Sequence, residues 1–428
     1  MKRIALPLML AFALLPTGAD AQSPKVEATY VVLGPRGPVA RAILTGATSC
    51  PAATIDGTQQ TMSVRARPDD AFPLLVCELL ISSRATSASL AGLPLPLPKT
   101  TLTSIAAFGD TGCRLKAAKP KGKGNDPDDD EDGGKFQDCN DPSLWPFARV
   151  AASVAAAQPD LVIHVGDYLY RESPCPAGDQ GCQGSPFRDI WDTWKADFFA
   201  PAAPALRAAP WIVVRGNHEI CKRAGTGYFR LLDPAPAQAA PPCIDLIGQF
   251  TATVADQSFI VLDSSNADDK CACDTGAYAR QFAAMRPSPG TWLVTHRPIW
   301  GFRSHHKTIN ATLQQALARW DGKLPDGVEL ALAGHIHVAE VLSFADQRSP
   351  QLVLGTGGTL LAGKIDSDLT GKKIGGTKVS YGRADHRFGF ALIERKADGG
   401  SKWKATFLDT ESKSLFDCKI RTGRVTCE

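Results

Sequence analysis

Short runs of apolar residues recur along the chain, and from about residue 101 they alternate with stretches whose apolar positions follow helical periodicity. The runs have the length of buried strands, and they are Ser104–Phe108, Leu161–Val165, Trp211–Arg215, Phe259–Leu262, Trp292–Thr295 and Glu329–Ala333. Helices are predicted over roughly 144–157, 187–199 and 308–320. Strands that alternate with helices predict a layered α/β architecture for this part of the chain.

The part before residue 93 has a different pattern. It lacks long helical periodicity and carries β-rich runs separated by Gly, Pro and Asp, which are Ala28–Leu33, Ala40–Leu44, Thr61–Ala66 and Leu74–Ile81. This pattern predicts a small all-β sandwich. The following Leu-Pro repeat, 93–98, predicts a stiff extended linker. We therefore expect an N-terminal β-sandwich domain over 22–98 and a larger domain over 99–428.

Residues 1–21 are typical of an export signal. Two basic residues precede the apolar run Ile4–Leu15, and a small-x-small cleavage site ends at Ala21. A short membrane anchor is the alternative, but Pro7 interrupts the run, which is shorter than the ~20 residues that a span needs. No later segment is long and apolar enough to span a bilayer. We expect a secreted or periplasmic protein that is cut after Ala21.

Composition supports export and argues against some partners. The 428 residues carry 47 basic and 44 acidic side chains, a net charge of +3, which gives no electrostatic case for nucleic acid or a membrane surface. All 12 cysteines follow the signal segment, and an even number in an exported chain favours disulfides.

Sequence proximity suggests five disulfides, the last of which would tie down the C-terminal tail. The pairs are Cys50–Cys77, Cys113–Cys139, Cys175–Cys182, Cys221–Cys243 and Cys418–Cys427. Cys271 and Cys273 remain. A bridge across one residue would be strained, so we expect these two to pair elsewhere and at least one local pair to be wrong.

A charged insert occupies Lys116 to Gln137 and contains a run of acidic residues. Such a run could bind calcium. It lacks the spaced ligands and the glycine of an EF-hand loop, so a solvated loop is favoured.

Polar side chains with metal-binding chemistry follow five of the predicted strands directly. The segments are Gly109-Asp110-Thr111-Gly112, Gly166-Asp167-Tyr168-Leu169-Tyr170, Gly216-Asn217-His218-Glu219, His296, and Gly334-His335-Ile336-His337. Glycine permits a sharp exit, and the next residue projects beyond the carboxyl end of the sheet, where α/β folds place their ligands. A single Gly-Asp is an ordinary turn and a single His is usually structural. Together, these oxygen and nitrogen donors suit two cations of the iron, zinc or manganese type.

The five motifs, in this order, resemble those of the calcineurin-like metallophosphoesterases over roughly 101–395. The Gly-Asp-x-x-Tyr form resembles the purple acid phosphatase branch. The resemblance implies an α/β fold, namely a four-layer α/β/β/α sandwich, and the preceding small all-β domain is similar to that of plant-type members.

The resemblance also implies a dinuclear metal centre. Fe(III) would be held by Asp110, Asp167, Tyr170 and His337. A divalent metal, which would be Zn, Fe or Mn, would be held by Asp167, Asn217, His296 and His335, so that Asp167 bridges both ions. A tyrosinate ligand to Fe(III) should colour the protein.

Further histidines are assigned by the same resemblance. His218 matches the substrate-contacting histidine and a proton donor. His305 and His306 resemble a pair that plant-type members direct at the phosphate, although a solvated loop pair remains open. We interpret His164 and His386 as structural.

Taken together, the motifs predict an exported phosphatase that hydrolyses small phosphate monoesters by in-line attack of a metal-bound hydroxide. One alternative is a phosphodiesterase that uses the same centre on nucleotides or phospholipid head groups. Another is a non-catalytic binding protein on the same scaffold, although no ligand position has been lost. A serine nucleophile at Ser264 or Ser265 is disfavoured because no Gly-x-Ser-x-Gly elbow accompanies it.

Overall fold

The computed structural model describes residues 24–118, 134–236, 243–304, 307–396 and 403–428. The predicted signal segment, most of the acidic insert, and His305 and His306 lie outside the described residues. Within the described part of the chain, no helix has the length and apolar character that crossing a membrane requires.

The chain forms mainly strands. They are β1 (Lys25–Gly34), β2 (Gly37–Thr45), β3 (Ala52–Ile55), β4 (Thr58–Thr61), β5 (Ser63–Ala66), β6 (Leu75–Leu80), β7 (Ala88–Leu90), β8 (Leu93–Pro94), β9 (Ser104–Phe108), β10 (Leu115–Lys116), β11 (Lys135–Phe136), β12 (Leu161–His164), β13 (Trp211–Val213), β14 (Phe250–Val254), β15 (Gln257–Leu262), β16 (Thr291–Thr295), β17 (Gly301–Arg303), β18 (Lys307–Ile309), β19 (Val328–Ala333), β20 (Ala339–Phe344), β21 (Gln351–Leu354), β22 (Lys373–Ile374), β23 (Thr377–Asp385), β24 (Gly389–Arg395), β25 (Trp403–Asp409), β26 (Ser414–Arg421) and β27 (Arg424–Cys427). All six strands predicted after residue 101 are present.

The helices are α1 (Phe147–Ala156), α2 (Trp191–Trp194), α3 (Ala200–Ala208), α4 (Gly225–Leu231), α5 (Thr275–Ala284) and α6 (Ala311–Ala316). A π-helical turn over Lys195–Phe199 joins α2 to α3, so the helical segment predicted at 187–199 starts later and runs further. The helix predicted at 308–320 begins only at Ala311, because β18 occupies 307–309 and Asn310 caps the helix by accepting a hydrogen bond from Leu313 N.

Two large sheets pack face to face. The first has eleven strands in the order β27-β26-β25-β24-β9-β12-β13-β1-β2-β6-β5, and the second has eight in the order β14-β15-β16-β19-β21-β20-β23-β22. In β9, Ile105 and Ala107 enter the core between the sheets, whereas Phe108 faces the other side. In β16, Trp292 enters the same core from the opposite sheet. Alternation along each strand therefore builds one apolar layer between the two sheets.

Helices cover the outer faces of both sheets. Phe147 of α1 and Leu206 of α3 pack in the cluster that contains Phe108 of the first sheet. Phe282 of α5 and Leu313 of α6 pack on the outer face of the second sheet. The predicted four-layer α/β/β/α fold is therefore confirmed.

The N-terminal β-sandwich shares its larger sheet with this architecture. Strand β1 pairs in parallel with β13 at Val32 and Trp211, and it continues into β2, β6 and β5. A second sheet, β4-β3-β7-β8, encloses a separate apolar cluster with it. The first residues of the predicted linker, Leu93–Pro94, are strand β8 of that second sheet. The domain boundary at residue 98 stays a prediction.

Two buried arginines tie the β-sandwich to helix α4. Arg65 donates to Phe229 O at 2.6 and 3.0 Å and pairs with Asp233 at 3.0 Å. Arg41 donates to Leu231 O at 3.0 Å. These cations satisfy carbonyl groups at the helix C-terminus, where the helix dipole favours positive charge. Burial, with the nearby Arg65, lowers the pKa of Arg41 to about 10.

The disulfides correct two predictions. All five local pairs are formed, and Cys271 is bonded to Cys273. The expectations that these two pair elsewhere and that a local pair is wrong are therefore both incorrect. The other ten cysteines take their local partners, and the Cα atoms of Cys271 and Cys273 lie 5.2 Å apart, within the range of a disulfide.

Candidate metal centre

The predicted ligands lie at one edge of the molecule, where the carboxyl ends of strands from both sheets meet. Asp110, Asp167 and Asn217 follow β9, β12 and β13 of the first sheet, and His296 and His335 follow β16 and β19 of the second. Their side chains are nearly or fully buried. Residues that are far apart in sequence therefore form one compact polar site.

Tyr170 is the centre of the first group of candidate ligands. Its hydroxyl lies 2.9 Å from Asp110 Oδ1, 2.7 Å from Asp167 Oδ2 and 3.0 Å from His337 Nε2. The ligand atoms of Asp110, Asp167 and His337 all lie within 4.8 Å of one another. These four residues are the set that the family resemblance assigns to Fe(III).

Asn217 is the centre of the second group. Its Oδ1 lies 2.8 Å from His296 Nε2 and 2.8 Å from His335 Nδ1. Asp167 Oδ2 is 3.2 Å from His296 Nε2, and Asp167 also forms a group with His296 and His335 whose ligand atoms lie within 4.8 Å. Asp167 is thus a member of both groups, as a bridging ligand must be.

The donors present fit a pair of cations. Burial alone would raise the pKa of Asp167, but His296 and His218 hold it well below its usual range, so the carboxylate is charged. Burial, with the charges of Asp110 and Asp167, raises the pKa of Tyr170 well above 10. A tyrosinate at this position therefore needs a cation to stabilise it. Buried carboxylate, phenol, amide and imidazole donors match iron, zinc or manganese.

Each candidate histidine ligand is oriented by a bond from its other ring nitrogen. His296 Nδ1 lies 2.8 Å from Val165 O, and His337 Nδ1 lies 2.7 Å from Leu360 O. The two ring nitrogens of His335 have exchanged roles. Its Nε2 lies 2.8 Å from Asp269 Oδ2, and its Nδ1 faces the candidate metal site. Such partners fix which nitrogen is available to a metal.

His218 lies beside the centre. Its ring centroid is 3.7 Å from that of Tyr170, and its backbone N donates to Asp167 Oδ1 at 2.8 Å. Nδ1 is 2.9 Å from Glu172 Oε1, and Arg223 Nη2 lies 2.8 Å from the ring nitrogens. Burial and Arg223 lower the pKa of His218 to about 4, although Asp167 and Glu172 oppose the shift. Sequence reasoning did not identify Glu172 or Arg223, which only folding brings to His218.

Glu219 joins the second and third motifs and was not predicted to matter. Its carboxylate accepts four backbone N–H bonds, from Asp167, Tyr168, Leu169 and Gly216, at 2.8–3.2 Å. Burial and the charge of Asp167 raise its pKa to about 8. The sequence signal that could have identified Glu219 is its position directly after His218 in the third motif.

Asp197 is a second buried carboxylate that the sequence did not reveal. It accepts from Cys113 N at 2.9 Å and Tyr170 N at 2.8 Å, and it pairs with Arg171 at 2.6 Å. It therefore links the loops that carry Asp110 and Tyr170. It comes from the π-helical turn, and no motif marks it.

Two glycines are required by the ligands that approach them. Gly166 has φ +99°, and a Cβ there would lie 2.5 Å from His296 Nδ1. Gly216 has φ −94°, so its conformation suits any residue, but a Cβ would lie 2.0 Å from Asp167 Oδ1. The glycine before Asn217 is thus explained by space for the shared carboxylate and not by turn geometry.

The other sequence candidates have structural contacts. Ser264 Oγ accepts from His296 N at 3.2 Å and Arg297 N at 2.7 Å, which gives it a role in holding the β16 loop. His164 is fully buried, stacks on Tyr168 and lies 3.1 Å from Thr111 Oγ1. His386 Nε2 lies 3.1 Å from Ile365 O. These contacts are consistent with the structural interpretation of both histidines.

Known proteins resemble this chain in sequence. The family model for calcineurin-like phosphoesterase matches residues 103–339. The chain is similar to tartrate-resistant acid phosphatase type 5 of Rattus norvegicus, at 23% identity over 292 residues that cover 64% of this chain and 82% of the relative. The Sus scrofa protein of the same name is 22% identical over 287 residues, with 63% and 78% covered.

Two solved structures share the fold. Purple acid phosphatase PPD1 from yellow lupin (Lupinus luteus) seeds gives a TM-score of 0.56 at 14% identity, with 92% of this chain and 73% of that chain covered. PhoD gives a TM-score of 0.54 at 13% identity, with 94% and 91% covered.

Proposed function

Because the chain belongs to the calcineurin-like phosphoesterase family, we propose that it is an exported phosphatase that hydrolyses small phosphate monoesters. It is a metal-dependent phosphoester hydrolase of the purple acid phosphatase-like branch. The observation that carries the proposal is the position of Asp167, which belongs to both groups of ligand atoms, together with Tyr170 three residues later. Export is supported by the predicted signal segment 1–21 and by six disulfides.

The two groups of donors define the proposed metal sites. Fe(III) would be held by Asp110, Asp167, Tyr170 and His337. A divalent ion, Zn, Fe or Mn, would be held by Asp167, Asn217, His296 and His335. The chemistry expected of such a pair is acidification of a water molecule and neutralisation of phosphate charge.

The protein's own residues would orient the substrate and supply a proton. His218 Nε2 is 3.9 Å from the shared Asp167 Oδ2, so the imidazole lies at the edge of the proposed centre. Glu172 and Arg223 hold the ring in place, and His218 would protonate the departing alkoxide. His305 and His306 would contact the phosphate, the role that their resemblance to the histidine pair of plant-type members implies. These roles are proposals.

Colour tests the proposed Fe(III) site. The wild-type protein is expected to contain iron and to absorb visible light, because a tyrosinate ligand to Fe(III) produces such a band. Tyr170→Phe should bleach the protein while the fold persists, since the ring is retained. Absorption spectra with elemental analysis of both proteins provide the measurement. A colourless wild type with two metals and no iron would refute the assignment.

Substrate class is tested with two chromogenic esters. The protein, loaded with its metals, is expected to hydrolyse p-nitrophenyl phosphate with a higher kcat/KM than bis(p-nitrophenyl) phosphate. The reverse preference would indicate a phosphodiesterase, and no turnover of either ester by the metal-loaded chain would favour a binding protein. Elemental analysis of the same preparation is the control that metals are present.

A further inference from the structure

Asp269 lies at the centre of four hydrogen-bond donors beside the second group of ligands. Its side chain is fully buried. Oδ2 lies 2.8 Å from His335 Nε2 and 3.4 Å from Arg303 Nη1, and Oδ1 lies 2.8 Å from Asn310 Nδ2 and 3.2 Å from Arg297 Nη1. An ionised carboxylate can only accept hydrogen bonds, so each of these groups must direct an N–H at it.

This contact determines which nitrogen of His335 faces the proposed metal site. Nδ1 lies 2.8 Å from Asn217 Oδ1, and a nitrogen that binds a metal must offer a lone pair. Since Asp269 accepts the proton of Nε2, Nδ1 is the nitrogen without one. Arg297 Nη1 is also 3.2 Å from Nε2. Without the carboxylate, this guanidinium would donate to Nε2 and favour the opposite tautomer, with the proton on Nδ1.

The position of Asp269 is fixed by elements other than β19. Arg303 ends β17, and Asn310 follows β18 and caps α6. The backbone N of Ala311 donates to Asp269 O at 3.1 Å. The carboxylate is therefore held in place independently of the strand that precedes His335.

We propose that Asp269 is the positioning residue of the divalent-metal site, where it holds His335 in the tautomer that binds the second cation. This inference rests on the proposed function, because it concerns the same metal pair. The effect of Asp269 is confined to the second cation, because the ligands of the Fe(III) site are oriented by other bonds, such as that between His337 Nδ1 and Leu360 O.

Asp269→Asn tests the inference with little change of shape. An amide keeps one acceptor atom, and its NH₂ group must face donors in either orientation. We expect the variant to bind Zn²⁺ at the second site about 10- to 100-fold more weakly than the wild type. Equilibrium dialysis of the full chain with elemental analysis measures this affinity, and the visible band of the Fe(III) site should be unchanged.

Asp268→Asn is the matched control. It removes a charge from the adjacent position, where Oδ1 accepts from Lys270 N and Cys271 N, and an amide oxygen can accept the same bonds. This control should bind Zn²⁺ as the wild type does. If Asp269→Asn bound Zn²⁺ as tightly as the wild type, this inference would be overturned, whereas the proposed function would stand. A wild type that binds no second cation would overturn the proposed function as well.

A second measurement needs no variant, in case Asp269→Asn does not fold. Long-range ¹H–¹⁵N NMR of the wild-type chain with labelled histidine, in which diamagnetic Zn²⁺ occupies both sites in place of iron, reports the tautomer of each ring. We expect His335 to carry its proton on Nε2. A proton on Nδ1 would overturn the inference.

Discussion

Asp167→Asn is expected to abolish binding of both metals and to lower kcat/KM at least about a thousandfold. The change removes the one charge that belongs to both groups of ligand atoms. Charge stabilisation by such a centre is worth several kcal/mol, and each ~1.4 kcal/mol is tenfold in rate. Elemental analysis of the purified variant, combined with p-nitrophenyl phosphate kinetics, measures both losses.

The control for this variant is Asp326→Asn, which changes an exposed carboxylate just before β19, at the end of that strand opposite to His335. It should retain both metals and wild-type kcat/KM. If Asp167→Asn also retained two metals, the bridging assignment would be incorrect, and the shared position of the carboxylate would have to be explained by the hydrogen bonds from Tyr170 and His218 alone.

His218→Ala is expected to keep both metals and to lower kcat by about 10²- to 10⁴-fold, the usual contribution of a positioned general acid. Among the described residues, the groups of ligand atoms that could hold a metal do not include His218. The metal content of the variant should therefore not change. The loss should be smaller for substrates with a good leaving group, which needs less help from a proton. A comparison of p-nitrophenyl phosphate with an alkyl phosphate gives the measurement.

His386→Ala is the matched control, because this histidine bonds to the backbone carbonyl of Ile365 and, among the described residues, belongs to none of the groups of ligand atoms. Its kcat should equal that of the wild type. Unchanged turnover in His218→Ala would refute the proton-donor role. Loss of metal in that variant would show that His218 stabilises the metal centre itself.

The sequence predicted the strands after residue 101 and the positions of the candidate ligands at their ends, because both depend on local pattern. The assignment of these residues as metal ligands stays a prediction. Four of the six apolar runs predicted after residue 101 are followed by a glycine and then a polar residue, so the sequence marks both the end of the strand and the candidate ligand beyond it. Asp110, Asp167 and Asn217 occur at such ends. The parallel arrangement of β9, β12 and β13 then brings these ends to one edge.

The supporting carboxylates could not be predicted in the same way. Asp197 and Asp269 lie in segments without a motif, and their partners are brought to them only by tertiary packing. The need for glycine at position 216 could not be predicted from local pattern either, because it is the Asp167 side chain across the site that leaves no space for a Cβ. The late start of α6 was missed because a strand takes the first residues of an apparently helical pattern.

The pairing of β1 with β13 constrains how this protein could be divided or recombined. A chain without residues 25–98 would leave β13 as an unpaired edge strand, and its buried sequence, Trp211–Val213, would be open to pairing with other molecules and to aggregation. Asn217 follows that strand closely, so the exposed edge would adjoin the proposed catalytic centre. The part of the chain from residue 99 onward therefore depends on the N-terminal strands, and gene rearrangements that separate the two would require a substitute strand beside β13.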